Sequence, residues 1–568
     1  MGPEKLVQSV RKANEDFIVS ASGWRKVFSD GGPESFSPAV GTADSLMAKA
    51  VGLALARNMK PGERVLVGTD TRPTGPVLAD LVMTVFDRCG LEVCYLGISA
   101  APEIMAFSHR GFDRFFYISA SHNPVGHNGF KFGSDGGVFD KQRSEDIVRT
   151  FRAICASEQD LSELASVETL HFEPDRALKS AALDYYRSFV LRTVGDLTGL
   201  GEKGFGVVID FNGSARAASV DLQLLDSLGI RHREINARPG GIAHAIVPEA
   251  ENLEPCRLLL EQAHREDPSF ILGYMPDNDG DRGNLVYIDE NSRARILPAQ
   301  TVFALSVLCS LAASLPGKLA VAANGPTSGR TDEICAAFGA GCFRAEVGEA
   351  NAVNLAQKLR DDGMTVPLCG EGSNGGVIMH PSKVRDPADT LLCILRILSD
   401  SAAVKRWTGN SGCTIGQLVS SLPVYTTTDA FSPLAGMRVK TNDFSAFKDL
   451  FEQLWEENAS VLKENGITTW TEYQLEGISN RRASGPGGRS GNCRGGLKYE
   501  LYDAEGSHLG FVWMRPSGTE PLLRLLVDLK GDRPALHDLL LKHLRSLVEK
   551  TDGRLAMARD LPASPMKE

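Results

Sequence analysis

Short apolar runs alternate with segments of helical spacing up to about residue 420. The run Arg64–Val67 predicts a buried strand, the loop Gly68–Gly75 follows it, and a helical pattern comes next. The same order of strand, small-residue loop and helix recurs around the loops Asn212–Arg216 and Asn324–Arg330. Strands that alternate with helices indicate sheets whose faces are covered by helices. The pattern therefore predicts three α/β domains in tandem, with mixed, largely parallel sheets.

Beyond about residue 420 the chain changes to strands with alternating apolar and polar positions. Leu497–Tyr502 and Gly510–Met514 show this alternation, and helical spacing covers Ala446–Leu462 and Pro534–Val548. We therefore expect a C-terminal α+β domain. The segment Ser479–Gly496 is rich in Gly, Ser and Arg and is interpreted as a mobile insertion. The predicted domain ranges are 1–200, 201–312, 313–422 and 423–568.

Composition and charge narrow the class of protein. The 568 residues are 42% hydrophobic and 23% charged, which is ordinary for a soluble globular protein. A formal net charge of −10 argues against a general nucleic-acid binder and against binding to an anionic membrane surface. The 11 cysteines are scattered without a CxxC pair or zinc-like spacing, which indicates reduced thiols. With no signal-type leader or membrane-length apolar run, the sequence predicts a cytoplasmic protein.

An aromatic strand leads into a small polar loop that contains a serine. Phe115–Ile118 reads as a buried strand, and the turn at Asn123-Pro124 follows it closely. Ser121 would then lie on an exposed loop held by a rigid strand, a useful place for a nucleophilic hydroxyl. His122 is near enough to polarise that hydroxyl, and Lys131 offers a cation or a proton. The alternative is a polar turn whose side chains only satisfy backbone groups.

Three carboxylates stand at alternate positions of one tight loop. Asp277, Asp279 and Asp281 can converge on one hard cation, and Mg²⁺ prefers such oxygen ligands. An EF-hand is excluded because Arg282 stands where glycine is needed and Ile288 where the bidentate glutamate is needed. A solvated acidic turn is the other alternative. Close carboxylates repel one another without a cation, so the pattern favours a metal.

A glycine-rich loop follows the apolar residues Val366–Leu368. It contains one carboxylate, Glu371, and one hydroxyl, Ser373, among small residues that allow a ligand to approach the backbone closely. Such a loop suits a polyhydroxy ligand. An ordinary glycine turn remains the alternative.

A fourth loop, near the C-terminus, combines arginines with a turn. Arg515 is followed by Ser517-Gly518-Thr519 and then by Arg524. Guanidinium groups, hydroxyls and backbone N–H groups together can hold an oxyanion. The loop lacks the GK[ST] of a Walker A motif, and a strand-connecting turn with surface arginines is the alternative.

In this order, the motifs resemble the α-D-phosphohexomutase family, which comprises phosphoglucomutases, phosphomannomutases and their amino-sugar relatives. The matches cover nearly the whole chain and imply four domains around a central cleft. They are the phosphoserine loop at Ser121-His122-Asn123-Pro124, the metal loop at Asp277, Asp279 and Asp281 with Arg282 as its arginine, the sugar loop at Glu371 and Ser373, the phosphate loop from Arg515 to Arg524, and the N-terminal glycine loop Ser22–Phe28, which carries Arg25.

The resemblance implies a reaction and a set of roles. Ser121 would carry a phosphoryl group, pass it to the sugar and take back the other phosphate from a hexose 1,6-bisphosphate. Mg²⁺ would be held by the three aspartates and an oxygen of phosphorylated Ser121, and glucose 1,6-bisphosphate would serve as activator. The implied catalytic residues are Ser121, His122, Lys131 and Arg25. The implied substrate-binding residues are Arg282, Glu371, Ser373, Arg515, Ser517, Gly518, Thr519 and Arg524. The partner is a small sugar phosphate, and the protein is a monomer or homodimer.

Substrate preference depends on the sugar loop. We expect glucose phosphates to be the preferred substrates. Gly372 and Gly375 leave room around the sugar, which weakens steric rejection of mannose, so mannose is disfavoured but not excluded. Gly372 also departs from the family, which usually carries a further acidic or variable side chain there. Gly375 and Gly376 stand where some members have His. The alternatives are a mannose or amino-sugar mutase, a metal-dependent phosphohydrolase, and a non-catalytic sugar-phosphate-binding protein.

Overall fold

The computed structural model describes residues 3–20, 23–313, 315–482, 484–485, 487, 493–517 and 522–560. The chain forms two compact units. The first comprises Met1–Leu297 and Ile378–Gln417, and the second comprises Pro298–Val377 and Leu418–Glu568. Among the described helices, none has the length and apolar character needed to cross a membrane.

The first sheet has parallel strands at one side and antiparallel strands at the other. Its strands are β1 Ile18–Ser20, β2 Gly23–Val27, β3 Arg64–Thr69, β4 Glu92–Ile98, β5 Arg114–Ile118, β6 His127–Ser134 and β7 Gly137–Val138. The accompanying helices are α1 Pro3–Ala13, α2 Thr42–Ala56, α3 Gly75–Arg88, α4 Ala101–Phe107, α5 Lys141–Ala156, α6 Glu158–Ser166 and α7 Arg176–Val194. The order is β1-β2-β6-β5-β3-β4, with β7 on β6. Strand β3 runs parallel to both β4 and β5, so the loops that leave β3 and β5 emerge side by side.

The second sheet belongs to the same unit and places another pair of loops together. Its strands are β8 Gly206–Asp210, β9 Arg231–Ile235, β10 Phe270–Pro276, β11 Gly283–Ile288 and β12 Ala294–Ile296, with helices α8 Asp221–Ser227 and α9 Glu254–Glu266. The order is β12-β11-β10-β8-β9, and β8 is parallel to β9 and β10. The loops after β8 and β10 are therefore neighbours.

The third sheet lies in the second unit and starts after α10 Ala299–Leu311. Its order is β14-β13-β15-β16, with β13 parallel to β14 and β15. The elements are β13 Ala320–Asn324, α11 Arg330–Ala337, β14 Gly341–Ala345, α12 Glu349–Asp361, β15 Leu368–Glu371 and β16 Gly376–Met379. Helices α13 Pro387–Ser399 and α14 Ser401–Thr408 belong to the first unit, and α15 Ile415–Ser420 follows.

The fourth sheet completes the second unit and is antiparallel. Its strands are β17 Tyr425–Thr427, β18 Gly436–Arg438, β19 Thr469–Glu476, β20 Ser479–Arg482, β21 Gly496–Tyr502, β22 His508–Pro516 and β23 Leu522–Lys530. The helices are α16 Phe444–Glu457, α17 Ala459–Glu464 and α18 Pro534–Asp560. The order is β17-β23-β22-β21-β19-β20, with β18 on β23. Trp455 of α16 stacks on Tyr499 of β21 with ring centroids 4.6 Å apart, so helix and sheet share one core.

The predicted class, α/β with mixed sheets and a C-terminal α+β part, is confirmed. One sheet lies within each of the four predicted domain ranges, and the boundaries themselves remain a prediction. The helix predicted over Ala446–Leu462 is broken at Asn458, whose side-chain amide donates to the carbonyl of Leu454 at 2.7 Å. The Leu454 carbonyl also accepts from the Asn458 backbone N–H at 3.1 Å, so backbone and side chain of Asn458 both bond to it where α16 ends.

Two predicted loops are strands. The segment Ser22–Phe28 is wrong as a glycine loop, because Gly23–Val27 forms β2 and pairs with β6, while Ser22 lies outside the described residues. Ser479–Arg482, predicted as part of a mobile insertion, forms β20 in a hairpin with β19. Gly477 in the turn has φ 57°, the left-handed conformation that tight hairpins need. Much of the remaining segment up to residue 495 lies outside the described residues.

Candidate active site

Ser121 follows β5 and is fully buried, so the predicted exposed position is wrong. The hydroxyl donates to Oδ2 of Asp277 at 2.6 Å, and the Ser121 N–H donates to Oγ of Ser119 at 2.8 Å. Ser121 has φ 54°, a left-handed backbone conformation that residues other than glycine rarely adopt. The loop therefore turns the hydroxyl inward, against the carboxylate loop that follows β10.

The three predicted metal ligands converge. The backbone N–H groups of Gly280 and Arg282 donate to Oδ1 of Asp277 at 3.1 and 3.2 Å, which closes the loop on itself. One carboxylate oxygen from each of Asp277, Asp279 and Asp281 lies within 4.8 Å of the others, and all three side chains are buried. Oδ1 of Asp279 and Oδ1 of Asp281 find no hydrogen-bond partner among the described residues. Buried carboxylate oxygens without donors fit a divalent cation.

Two cations contact this loop, and one of them was not predicted. Nζ of Lys131 lies 2.5 Å from Oδ2 of Asp279 and 3.1 Å from Oδ2 of Asp281. Nη2 of Arg385 donates to the same Asp281 oxygen at 2.9 Å. Burial and the charges of Asp279 and Asp281 raise the pKa of Asp277 well above its ordinary value. Against the effect of burial, Arg385, Lys131 and Arg282 hold the pKa of Asp281 below its ordinary value. The two carboxylates therefore differ in their tendency to ionise.

Positive charge exceeds negative charge around Ser121. Lys131, Arg25, Arg282 and Arg385 act electrostatically on this cluster, whose metal-binding carboxylates, among the described residues, are those of the three aspartates. Burial and Arg282 lower the pKa of Arg25. Arg282, burial and Arg25 lower the pKa of His122 well below its ordinary value, which favours the neutral imidazole. Both shifts show that cations are crowded here, a field that favours an added anion.

His122 and Arg25 reach the loop of Ser121. Nδ1 of His122 lies 3.5 Å from Oγ of Ser121, at the limit of a hydrogen bond. Nη1 of Arg25, from β2, is 3.4 Å from Oδ1 of Asn123. The structure thus brings together all the residues of the first unit that the sequence predicted for the site, namely Arg25, Ser121, His122, Lys131, Asp277, Asp279, Asp281 and Arg282.

In the second unit, Glu371 ends β15 and is buried in a polar network. Oε1 of Glu371 accepts from the Gly348 N–H at 2.9 Å and from Nδ2 of Asn324 at 3.3 Å. Oε2 accepts from Nδ2 of Asn374 at 3.1 Å. The Asn324 amide also donates to Oγ of Ser373 at 3.1 Å. The predicted pair Glu371 and Ser373 is therefore held by one buried amide, which local sequence did not reveal.

The space beside Gly372 is filled by protein, contrary to the prediction that it leaves room around the sugar. A Cβ added at Gly372 would lie 2.6 Å from atoms of Gln300 and Thr327, so protein fills that space. Gly375 has φ 70° and forms a left-handed turn between the 3-10 turn Gly372–Asn374 and β16. Side-chain packing therefore requires glycine at 372, and the left-handed φ favours glycine at 375, so neither residue is evidence on epimer preference.

Arg515, near the end of β22, pairs with a carboxylate that the sequence did not suggest. Its Nε lies 2.8 Å from Oε1 of Glu346, which follows β14 and is itself buried. Arg524 stands directly opposite Arg515 in the β22–β23 register. Directly opposite residues of an antiparallel strand pair project from the same face, so the side chains of Arg515 and Arg524 lie on the same side of the sheet. The Ser517 N–H donates to the Leu522 carbonyl at 2.6 Å, while Gly518 and Thr519 lie outside the described residues.

Comparison with known proteins decides the family. The family model described as phosphoglucomutase/phosphomannomutase, alpha/beta/alpha domain I, matches residues 21–157, and that of domain III matches residues 301–423. A phosphoglucomutase/phosphomannomutase from Thermococcus kodakarensis is 27% identical over 492 residues, which is 86% of this chain and 90% of the relative. The chain belongs to the α-D-phosphohexomutase family. Its activity class is that of an isomerase that transfers a phosphoryl group.

Two further comparisons bear on substrate and fold. A phosphoglucosamine mutase from Methanocaldococcus jannaschii is 30% identical over 250 residues, which is 44% of this chain and 51% of the relative. A solved phosphoglucomutase/phosphomannomutase family protein from Burkholderia thailandensis has the same fold, with a TM-score of 0.63 and 18% identity over 94% of this chain and 97% of that one. The metal loop and the Arg515 loop lie outside both matched family-model ranges, so their assignment rests on geometry.

Proposed function

We propose that this phosphohexomutase interconverts hexose 1-phosphates and 6-phosphates, with glucose as its preferred sugar, through a phosphoryl group carried on Ser121. The observation that supports this proposal most directly is the position of the Ser121 hydroxyl. It lies 2.6 Å from Oδ2 of Asp277, within a cluster where cations outnumber carboxylates. A phosphoryl group on Oγ would supply the anion that this field favours. Glucose 1,6-bisphosphate would be both intermediate and activator.

The metal-binding assignment completes the reacting end. Asp277, Asp279 and Asp281 would hold Mg²⁺, since their buried carboxylates offer hard oxygen ligands, and Oδ1 of Asp279 and Oδ1 of Asp281 have no donor among the described residues. An oxygen of phosphorylated Ser121 would be a further ligand of the ion. When bound, the ion would neutralise negative charge on the transferring phosphoryl group. The aspartates would fix the position of the ion. The backbone N–H groups of Gly280 and Arg282 donate to Oδ1 of Asp277 and hold its carboxylate in place.

Proton transfer is assigned to the side chains that touch the phosphoserine loop. In the first half-reaction the P–O bond to Ser121 breaks as a P–O bond to a sugar hydroxyl forms, and the proton of that hydroxyl leaves while the Ser121 oxygen gains one. In the second, the other P–O bond of the sugar breaks as the bond to Ser121 forms again, and the proton moves from Ser121 to the sugar oxygen. The neutral imidazole of His122 can accept a proton, whereas the ammonium of Lys131 can donate one and stabilise negative charge. Arg25 and Arg282 would bind the oxygens of the transferring group.

In the second unit, the proposed roles are to bind the sugar and the phosphate that does not react. Glu371 and Ser373 present acceptor and hydroxyl groups that suit O3 and O4 of a hexose, positions that stay similar when the sugar turns end over end. Arg515 and Arg524 would bind the distal phosphate, with Ser517, Gly518 and Thr519 as its further donors. Binding energy of this kind holds the substrate in place for transfer.

An amino sugar is the second candidate substrate. It is favoured by the 30% identity over 250 residues to a phosphoglucosamine mutase. Glucose is preferred here because the phosphoglucomutase/phosphomannomutase relative is similar over 86% of this chain. The two candidates share every step on Ser121 and differ only in the group at C2 of the sugar.

The proposed function is tested by a coupled assay on the full-length protein with Mg²⁺. Glucose 1-phosphate, mannose 1-phosphate and glucosamine 1-phosphate are compared, each with and without its 1,6-bisphosphate. We expect the highest kcat/KM with glucose 1-phosphate, activation by the bisphosphate, and no turnover by Ser121→Ala. Higher kcat/KM with glucosamine 1-phosphate would replace the substrate assignment. Stoichiometric release of inorganic phosphate would indicate a phosphohydrolase instead.

A further inference from the structure

The loop Asp70–Thr74, between β3 and α3, belongs to the recurring loops of the sequence and has no role in the proposed reaction. Because β3 and β5 are parallel neighbours, this loop emerges beside the loop of Ser121. The backbone N–H of Asp70 donates to the carbonyl of Ile118, the last residue of β5, at 3.0 Å. The two loops are therefore joined at their base.

Arg72 holds the backbone at Ser121 and just after it. It is 1% exposed, and its Nη2 donates to the carbonyl of Ser121 at 2.9 Å and to that of Asn123. Its Nη1 and its backbone N–H are held by the Asp70 carboxylate at 2.8 and 2.9 Å. A planar guanidinium that spans two carbonyls keeps this short stretch from rotating. The left-handed φ of Ser121 is maintained by these bonds.

Thr71, the preceding residue, contacts the metal loop. Its Oγ1 lies 2.6 Å from Oδ1 of Asn278, which stands between the first two metal-binding aspartates, and 2.8 Å from the carbonyl of Gly213. Asn278 is held from the other side, since the Ala215 N–H donates to its carbonyl at 2.9 Å. Thr71, Asn278 and Ala215 are all buried, so water does not compete for these bonds.

We infer that Thr71 and Arg72 are positioning residues, which set the distance between the hydroxyl of Ser121 and the carboxylate of Asp277. Arg72 holds one of these loops and Thr71 holds the other, and the two residues are adjacent on one rigid turn. The separation of the Ser121 hydroxyl and the Asp277 carboxylate is thus determined by a third loop, which contains neither residue. This inference rests on the proposed function. Displacement of reacting groups by about 1 Å can reduce the rate roughly 100-fold without loss of binding.

The test compares Thr71→Val with Thr71→Ser in the full-length protein. Valine keeps the shape of threonine and removes the hydroxyl, whereas serine keeps the hydroxyl. We expect Thr71→Val to lower kcat at least tenfold with KM within twofold of wild type, and Thr71→Ser to retain at least a third of wild-type kcat. Thr84→Val is the matched control, since Thr84 is a buried threonine of α3 whose Oγ1 donates to the Asp80 carbonyl at 2.6 Å. It should keep wild-type kcat.

A second measurement separates positioning from loss of stability. Thermal unfolding is recorded for all variants, and single-turnover transfer from phosphorylated Ser121 to sugar phosphate is followed by quenched flow. Slow transfer in Thr71→Val, at a melting temperature equal to or above that of Thr84→Val, supports the inference. Wild-type kcat in Thr71→Val overturns it while leaving the proposed function intact. An inactive wild type would overturn the proposed function and this inference with it.

Discussion

Replacing Lys131 by methionine removes a buried cation that contacts two carboxylates. The side chain of Lys131 is 5% exposed, and its Nζ is bonded to Asp279 at 2.5 Å and to Asp281 at 3.1 Å. Loss of one partner from a buried ion pair costs about 3–5 kcal/mol, because the remaining charge is left uncompensated. We therefore expect Lys131→Met to be less stable than wild type by about this amount in the absence of divalent metal.

Added Mg²⁺ should recover much of that stability. In wild type, a bound ion would compete with the Lys131 ammonium for the charge of the same two carboxylates, and each charged hydrogen bond contributes about 1.5–3 kcal/mol. Removal of that competitor should therefore raise metal affinity roughly 10- to 100-fold. The affinity is measured from the melting temperature, which is recorded first in chelator and then at increasing Mg²⁺ concentrations. Bound Mg²⁺ stabilises the folded protein, so a higher affinity shifts the rise in melting temperature to lower Mg²⁺ concentrations.

Lys26→Met is the matched control for the Lys131 experiment. Nζ of Lys26 is also buried, with a side chain 8% exposed, and it pairs with Asp44 at 2.8 Å, outside the aspartate cluster. This variant should lose stability without any gain in its response to Mg²⁺. Equal responses to Mg²⁺ in wild type, Lys131→Met and Lys26→Met would refute the reasoning that Lys131 and the metal share the carboxylates.

Two further predictions concern the second unit. Glu346→Gln should raise KM about tenfold or more with a smaller change in kcat, as measured by steady-state kinetics, because it removes the ion pair that holds Arg515. An unchanged KM would remove Arg515 from the binding of phosphate. Against the effect of burial, Lys498 and His508 lower the pKa of Glu500 to about 2. A carboxyl whose folded-state pKa is lowered stabilises the protein above its ordinary pKa, and that stabilisation is lost as the pH falls toward 2. Glu500→Gln should therefore be destabilised at neutral pH, begin to approach wild type below about pH 4.5 and converge with it near pH 2 in acid-unfolding curves. A constant difference at every pH would contradict this.

Local sequence predicted the elements and the chemical groups of the site, because both depend on short-range patterns. The period of apolar residues predicts β3, α3 and β5, and alternate carboxylates on one loop predict a metal site. The burial of Ser121 was not predicted, since it depends on Asp277, 156 positions later in the chain. A strand followed by small polar residues does not show which distant loop covers it.

Two side chains that contact site residues from distant parts of the chain, Arg385 and Glu346, were missed for the same reason, because neither belongs to a local motif. Arg385 bonds to Asp281 from 104 positions away, and Glu346 contacts Arg515 and the Gly496 N–H across similar separations. Both occupy unremarkable positions in the sequence. The hairpin of β19 and β20 was missed because a Gly- and Arg-rich composition outweighed strand pairing in the prediction. Composition describes local preference, whereas pairing depends on the neighbouring strand.

The most direct test of the account is to follow phosphate on Ser121. Full-length protein is incubated with glucose 1,6-bisphosphate and Mg²⁺, freed of excess ligand, and mapped by peptide mass spectrometry before and after addition of glucose 6-phosphate. We predict one phosphate per chain on the peptide containing Ser121, its transfer to the sugar at a rate no slower than turnover, and its absence in folded Ser121→Ala. Phosphate on a different residue, or wild-type turnover by Ser121→Ala, would contradict the central claim.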